Sequence, residues 1–165
     1  GVDAANVTGD VLRVLDNIGV VASLRVTVVL GAACPHIDLV TDQTESMGLD
    51  TRVVVNANNM AELMTQADLA IGAAGGSAWE RCCLGLPSFL VVMAENQRPG
   101  AEALKQAGAS ICLGWPDAIE DTLPRAVHEV FEAGRLLEMS QNAAAICDGL
   151  GVQRVADALR EVLDE

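Results

Sequence analysis

The feature that most constrains this 165-residue chain is the recurrence of short segments rich in Val, Ile and Leu, each followed by a stretch with helical periodicity. They recur roughly every 20 residues, a spacing typical of βαβ crossovers that join parallel strands. Five segments fit buried strands, at 25–30, 51–55, 68–73, 87–93 and 110–113. The pattern predicts an α/β fold, a Rossmann-like doubly wound parallel sheet, in a single domain spanning residues 1–165.

The stretches between the strands predict helices with an apolar face. They lie at 7–18, from Pro35 through Ser46, at 59–67, at about 78–84, and after the fourth strand up to Gln106. Pro35 is expected in the first turn of its helix, where its missing N–H is tolerated.

Beyond Ala118 the pattern is helical to the end, with breaks expected at Gly134 and at Gly149 with Gly151. Two apolar stripes indicate helix faces that pack against a hydrophobic core. One comprises Ile119, Leu123, Val127 and Phe131, and the other Val152, Val155, Ala156, Leu159 and Leu163.

The start of the chain departs from this fold class. A doubly wound domain begins with a strand and a glycine turn, whereas here a helix follows Gly1-Val2-Asp3 at once. We therefore expect the first strand of the sheet to be absent. The strands at 26–30 and 69–73 should then pair directly, or receive a strand from another copy and so form a homodimer.

Charge excludes two classes of partner. The net charge of −13 argues against nucleic acid, whose binding needs clustered Lys and Arg, and against anionic membrane surfaces. No apolar run reaches the roughly 20 residues of a membrane span.

The five cysteines, an odd number without a CxxC pair, favour buried free thiols in a reducing cytoplasm over disulfides or a metal site. Adjacent Cys82 and Cys83 on one helix would point in different directions and chelate poorly. We expect a cytoplasmic protein with no metal and no cofactor.

A glycine turn after the third strand is the first candidate site. Gly75-Gly76 lets the backbone approach a ligand closely, and Ser77 then begins a helix. Free N–H groups at a helix start attract anions such as the diphosphate of a nucleotide. Ligands of open α/β sheets bind at this carboxyl end of the strands.

Two interpretations of Glu80 remain open. Ser77-Ala78-Trp79-Glu80 fits the capping box S-x-x-E, in which Ser77 caps the helix and Glu80 reaches back to its backbone. Alternatively, the Glu80 carboxylate accepts hydrogen bonds from the hydroxyls of a ribose.

Asn96 and Gln97 follow the next strand directly and so face the same edge of the sheet. They either belong to an ordinary exposed loop or bind a phosphate or sugar. His36 and His128 are interpreted as structural or solvated, because neither falls at this edge. The catalytic residues are unknown, and the chain is interpreted as the ligand-binding half of a two-domain protein.

The stretch ADLAIGAAGGSAWERCCLGLPSFLVVMAENQ, residues 67–97, resembles the hydrolase family of pseudaminic acid biosynthesis. These enzymes cleave UDP-2,4-diacetamido-2,4,6-trideoxy-β-L-altropyranose. The opening GVDAANVT is similar to the turn that begins their C-terminal domain. That family in turn resembles the UDP-N-acetylglucosamine transferase of peptidoglycan synthesis, and spore-coat proteins share the C-terminal pattern.

The resemblance implies the C-terminal, UDP-binding half of a GT-B fold, with a UDP-sugar as ligand and an N-terminal domain as partner. It implies that Gly75, Gly76 and Ser77 contact the diphosphate and that Glu80 contacts ribose. Asn96 and Gln97 would lie near the diphosphate and sugar. The implied reaction is metal-independent attack of water at the anomeric carbon, with a general base in the N-terminal domain. A GT-B glycosyltransferase of surface polysaccharide biosynthesis is the alternative, because one fold serves both reactions.

Overall fold

A computed structural model describes residues 2–18 and 24–163 of the chain. All five predicted strands form, with no end shifted by more than two residues. They are β1 (Arg25–Leu30), β2 (Asp50–Val55), β3 (Ala70–Ala73), β4 (Ser88–Val91) and β5 (Ser110–Gly114). The helices are α1 (Val7–Asn17), α2 (Ile37–Ser46), α3 (Met60–Thr65), α4 (Ser77–Cys83), α5 (Arg98–Gln106), α6 (Ile119–Glu132), α7 (Leu136–Ile146) and α8 (Gly151–Leu163).

The strands are parallel but form two sheets instead of one. Among the strands of residues 2–18 and 24–163, β1 pairs with β2 alone, in register from Arg25 opposite Asp50 to Leu30 opposite Val55. The other sheet has the order β3-β4-β5. The expected direct pairing of strands 26–30 and 69–73 is therefore wrong, because β1 and β3 share no ladder. The described residues ahead of α1 form no strand that pairs with either.

Alternation along β4 shows why helices cover both faces of the larger sheet. Phe89 and Val91 point into one core with α1, β5 and α6. Leu90 and Val92 point into a second core on the opposite face, with α4 and α5. Successive side chains of a strand point to opposite faces, so a strand covered on both sides must be apolar throughout. The three-layer α/β architecture predicted from the apolar runs is confirmed.

Helix α1 joins the two sheets. Its Leu12 packs into a cluster with Val28, Leu30 and Val40, which lie on and around β1. Its Val14 belongs instead to the core of the larger sheet. One helix with two apolar faces thus replaces backbone pairing between the sheets.

Asp3 fixes the beginning of α1. Its carboxylate accepts hydrogen bonds from the backbone N–H groups of Val7, at 2.8 Å, and Thr8, at 3.0 Å. These are two of the N–H groups that a helix start leaves without a partner. The aspartate of the opening motif therefore has a structural role in this chain.

The predicted breaks between the last helices are confirmed. Gly134 separates α6 from α7 with a φ of +64°, and Gly149 separates α7 from α8 with a φ of +75°. A residue with a side chain is strained in this left-handed region, so glycine suits both turns. The placement of Pro35 within the first turn of α2 is wrong, since the helix begins two residues later, at Ile37, with His36 as its N-cap.

The two C-terminal apolar stripes differ in burial. Ile119, Leu123 and Val127 of α6 are buried, whereas Val152 and Leu159 of α8 are exposed. Every helix within residues 2–18 and 24–163 is too short or too polar to span a bilayer.

Candidate functional site

The turn from β3 into α4 brings the backbone to the carboxyl edge of the sheet. The N–H of Ala78 donates to the carbonyl of Gly75 at 2.9 Å, and that of Trp79 to Gly76 at 3.1 Å. A Cβ at Gly76 would meet no atom of the described chain within 4 Å, and its φ of −52° suits any residue. Packing therefore does not demand glycine at Gly76. Because Gly76 has no side chain, the backbone at the start of α4 is open to solvent.

The capping-box interpretation is wrong. The N-cap of α4 is Gly76, with no side-chain capping hydrogen bond, and Ser77 is already the first helical residue. The Glu80 side chain is exposed and, within the described part of the chain, does not bond back to the helix start. Its carboxylate therefore does not serve to cap the helix.

Gln97 connects the two loops that the sequence singled out. Its Oε1 accepts a hydrogen bond from the N–H of Met93 at 3.0 Å, just after β4. Its Nε2 lies 3.6 Å from where a Cβ on Gly75 would stand. Because β3 and β4 are adjacent and parallel, their carboxyl ends meet at one edge. The structure thus places Gln97 beside the glycine turn, with its amide N–H₂ group directed toward it.

Asn96 lies one residue earlier in the short 3-10 turn Glu95–Gln97 and is exposed. It shares the loop with Gln97 but makes no side-chain hydrogen bond among the residues described. Trp79 lies nearby, with its Cζ2 4.0 Å from the position of a Cβ on Gly100 in α5. The starts of α4 and α5 therefore adjoin at this rim.

Arg81 is a residue of this region that the sequence analysis did not single out. It is 5% exposed, and its Nη2 donates to the carbonyl of Ala73 at 2.9 Å. Its Nη1 lies 2.8 Å from where a Cβ on Gly72 would stand, so Gly72 leaves the space that the guanidinium fills. The side chain ties α4 to the end of β3 and thereby holds the glycine turn.

The charge of Arg81 is poorly compensated. No carboxylate within the described residues lies in salt-bridge distance of it, and its Nε is buried without a partner. Burial lowers the pKa of the guanidinium from its usual value. Arginine still keeps its proton near neutral pH, so the turn carries a cation directly beneath it. The only sequence signal was an arginine among the apolar residues of WERCC.

The polar contacts of both histidines lie outside the Gly75 and Gln97 loops. His36 Nε2 lies 3.0 Å from the carbonyl oxygen of Ala4, which anchors the ring against the start of α1. His128 Nδ1 lies 2.8 Å from Glu132 Oε1 on the exposed face of α6. These contacts fit a structural His36 and a solvated His128, and the absence of a catalytic role stays a prediction.

The thiols are free, as expected, but not all are buried. Cys34 and Cys82 are buried, whereas Cys83 is exposed and Cys112 and Cys147 are half-buried. Cys82 and Cys83 do point in different directions. In the described chain no three His, Cys, Asp or Glu residues gather as a metal site would require.

A groove of about 420 Å³ lies at the opposite edge of the sheet. It is lined by residues preceding β3 and β4, such as Asp68 and Pro87, and by Leu136 and Ser140. The candidate site at Gly75 is instead an open rim. At this rim the carboxyl ends of the strands and the start of α4 present backbone polar groups.

The fold and rim described above define an α/β domain of the type that forms the C-terminal half of GT-B enzymes. Residues 20–159 match the model of the glycosyltransferase family 28 C-terminal domain. The chain belongs to this family.

Curated relatives agree with this assignment. The chain is 28% identical over its whole length to the spore coat polysaccharide biosynthesis protein SpsG of Bacillus subtilis and covers 49% of that protein. It is 30% identical over 72% of its length to a UDP-N-acetylglucosamine–N-acetylmuramyl-(pentapeptide) pyrophosphoryl-undecaprenol N-acetylglucosamine transferase of Gluconobacter oxydans, of which it covers 34%. The chain therefore spans half or less of the length of these relatives.

Solved structures show the same fold. The chain superposes on MurG of Acinetobacter baumannii with a TM-score of 0.75 and 18% identity, over 98% of this chain and 47% of that one. It superposes on WaaG, a glycosyltransferase involved in lipopolysaccharide biosynthesis, with a TM-score of 0.66 and 18% identity, over 96% of this chain and 44% of that one.

The comparisons support the coarser part of what the sequence predicts, a GT-B C-terminal domain with a relative in polysaccharide biosynthesis. Membership of the pseudaminic acid hydrolase family is not shown by them.

Proposed function

We propose that residues 1–165 form the nucleotide-sugar-binding domain of a GT-B glycosyltransferase in surface polysaccharide biosynthesis, with UDP as the nucleotide. The observation that carries the proposal is the open glycine turn at the carboxyl edge of β3, reached by Gln97 from the neighbouring loop. Family membership and the names of the relatives support the transfer class.

The proposed contacts follow from what each group can donate or accept. The N–H groups of Gly75, Gly76 and Ser77 would bind the diphosphate, which favours a helix start. The exposed carboxylate of Glu80 would accept hydrogen bonds from the ribose hydroxyls. Gln97 would donate its free amide N–H to the diphosphate or sugar, since its Oε1 is already held by Met93.

Asn96 would add a contact to the same group from the exposed side of the loop. Arg81 would act beneath the turn without touching the ligand, because its guanidinium is directed to Ala73. A buried cation near a dianion lowers the electrostatic cost of binding on a chain with a net charge of −13.

Hydrolysis of a UDP-sugar is the second candidate, and only the motif over residues 67–97 favours it. The two candidates differ in what the protein does with a UDP-sugar when no acceptor is present. Release of UDP by the chain alone, abolished by Asn96→Ala, would favour the hydrolase. Binding without turnover by the chain alone is expected of both candidates, because the general base of the hydrolase would lie in the N-terminal domain.

Isothermal calorimetry with UDP and UMP tests the proposed site. UDP should bind more tightly, because only UDP carries the second phosphate group that the helix start would contact. Equal affinity for the two nucleotides, or no binding of either, would remove the diphosphate assignment.

The Glu80→Ala variant tests the ribose contact. Its affinity for UDP should fall by about 1–3 kcal/mol, the usual value of a hydrogen bond to a charged group. Glu138→Ala is the matched control. It removes an exposed carboxylate on a different helix, α7, and should leave the affinity for UDP unchanged. A Glu80→Ala variant that binds UDP as well as wild type would exclude Glu80 from the site.

A further inference from the structure

Two cysteines far apart in sequence meet at the surface. Cys83 is the last residue of α4, and Cys147 is the C-cap of α7. Their sulfur atoms are 2.9 Å apart across a separation of 64 residues, with the thiol of Cys83 donating to the sulfur of Cys147. α4 and α7 pack against each other, so the whole interface holds this contact.

Solvent reaches this pair more readily than the two buried thiols. Cys83 is exposed and Cys147 is half-buried, whereas Cys34 and Cys82 are buried. Cys82 precedes Cys83 on α4 but packs into the core beneath the helix. A small oxidant in solution would therefore meet Cys83 and Cys147 before the buried thiols.

The surroundings make the two thiols unequal. The hydrogen bond from Cys83, with another from the backbone N–H of Gly149, lowers the pKa of Cys147. The same pairing raises the pKa of Cys83. The charges nearest to Cys147 are Asp148, which opposes the thiolate, and Arg154, which favours it. Because the thiolate is the nucleophile in disulfide exchange, Cys147 is the sulfur that reacts first.

We propose that Cys83 and Cys147 form a redox-sensitive dithiol that a low-molecular-weight disulfide converts reversibly into an intramolecular disulfide. The Cys147 thiolate attacks one sulfur of the small disulfide, whose S–S bond breaks and releases one thiolate. Cys83 then loses its proton and attacks the Cys147 sulfur, which releases the second small thiolate. The protein loses two electrons and two protons, and the small disulfide gains them as two thiols.

The bond would connect covalently two parts of the chain that now meet through packing and one hydrogen bond between the thiols. α4 carries the glycine turn at its start, and Cys147 lies at the junction of α7 with α8. A cross-link over a long loop restricts the unfolded chain and so stabilises the folded one. Oxidation should therefore raise Tm and hold the C-terminal end of α4 against α7.

The test uses the full 165-residue chain, fully reduced and then equilibrated with mixtures of reduced and oxidised glutathione. The expected result is loss of two titratable thiols in the monomer, a rise in Tm, and full reversal by dithiothreitol. Trypsin leaves Cys82 and Cys83 in one peptide, residues 82–105, and Cys147 in another, residues 136–154. A cross-link between these peptides that persists in Cys82→Ser identifies Cys83 as the partner.

Variants separate the two steps. Cys83→Ser should accumulate the glutathione mixed disulfide on Cys147, because the resolving thiol is gone. Cys112→Ser, which replaces another half-buried cysteine, is the matched control and should still form the cross-link. Glutathione adducts on wild-type Cys83 and Cys147 without a cross-link would overturn the proposal. So would a cross-link that Cys82→Ser abolishes, or one found only between two chains.

Discussion

Helices α6 and α8 carry the same apolar periodicity and have opposite surroundings. In α6, Leu123 is completely buried, whereas in α8 the corresponding stripe is open, with Val152 84% and Leu159 60% exposed. A helical stripe therefore indicates which face of a helix is apolar, and not whether anything covers that face. The covering partner must come from elsewhere in the chain or from another molecule.

The difference originates in what lies beside each helix. α6 packs against α1 and β5, so its stripe completes the core of the larger sheet. α8 instead is held at its first turns by Asp148, whose carboxylate accepts hydrogen bonds from Arg154 and from the N–H of Leu150. Packing holds α6 from Ile119 to Val130, whereas α8 is anchored by polar contacts at one end.

The largest effect is expected from shortening a buried side chain of α6. Leu123→Ala should lower the free energy of unfolding by about 2–5 kcal/mol, because it removes apolar contacts and leaves a cavity. Urea denaturation followed by circular dichroism measures the change. Leu159→Ala, the same substitution on the exposed stripe, should stay within about 0.5 kcal/mol of wild type. Equal losses in the two variants would show that α8 is covered in solution.

A smaller loss in the free energy of unfolding is expected when a buried arginine and an exposed arginine are each replaced by alanine. Arg81→Ala should cost about 1–3 kcal/mol, because the carbonyl of Ala73 loses its donor inside the fold. Arg154→Ala removes an exposed arginine and should cost less. Urea denaturation of both variants gives the ranking.

Nucleotide binding distinguishes the two arginines further. Arg81→Ala should also weaken UDP binding, since the glycine turn loses both its anchor and a nearby positive charge. Arg154→Ala should leave the affinity unchanged. An Arg81→Ala variant with wild-type affinity for UDP would show that the turn holds its shape without the guanidinium.

Much of the fold could be predicted because the strands contain short apolar runs, and the central strand of the larger sheet, β4, is buried on both faces. Phe89, Leu90 and Val91 show this, since adjacent side chains enter different cores. The division into two sheets could not be predicted from periodicity, because strand order depends on contacts distant in sequence. The role of α1 in bridging the sheets depends on Leu12 and Val14 pointing to different clusters.

The adjacency of the two candidate loops could be predicted, but the interactions of their side chains could not. Topology alone brings the loops of Gly75 and Gln97 together, because parallel neighbouring strands end at one edge. The capping box predicted at Ser77 does not form. A capping box requires Ser77 to be the N-cap, and the helix begins one residue earlier than that, with Gly76 as its N-cap. Arg81 was missed because burial of a cation beneath a turn leaves no periodic signal.

The smallest effect is the pH dependence of the stability that the hydrogen bonds of Asp148 contribute at the start of α8. Hydrogen bonds from Arg154 and from the backbone N–H of Leu150 lower the pKa of Asp148 from 3.8 to about 2. Because the pKa is depressed in the folded state, the contribution to stability is fully present above the unfolded value. It is lost as the pH falls from 3.8 through about 2, where the carboxylate takes up its proton.

Asp148→Asn should remove this contribution at neutral pH, so that the difference in stability between variant and wild type shrinks as the pH falls through that window. NMR titration of the Asp148 carboxyl should give a pKa well below the ordinary range in wild type and a higher one in Arg154→Gln. High salt should weaken the shift, because the pair lies in solvent. An unshifted Asp148 in wild type would mean that the anchor does not form, leaving α8 without the polar contacts that distinguish it from a free helix.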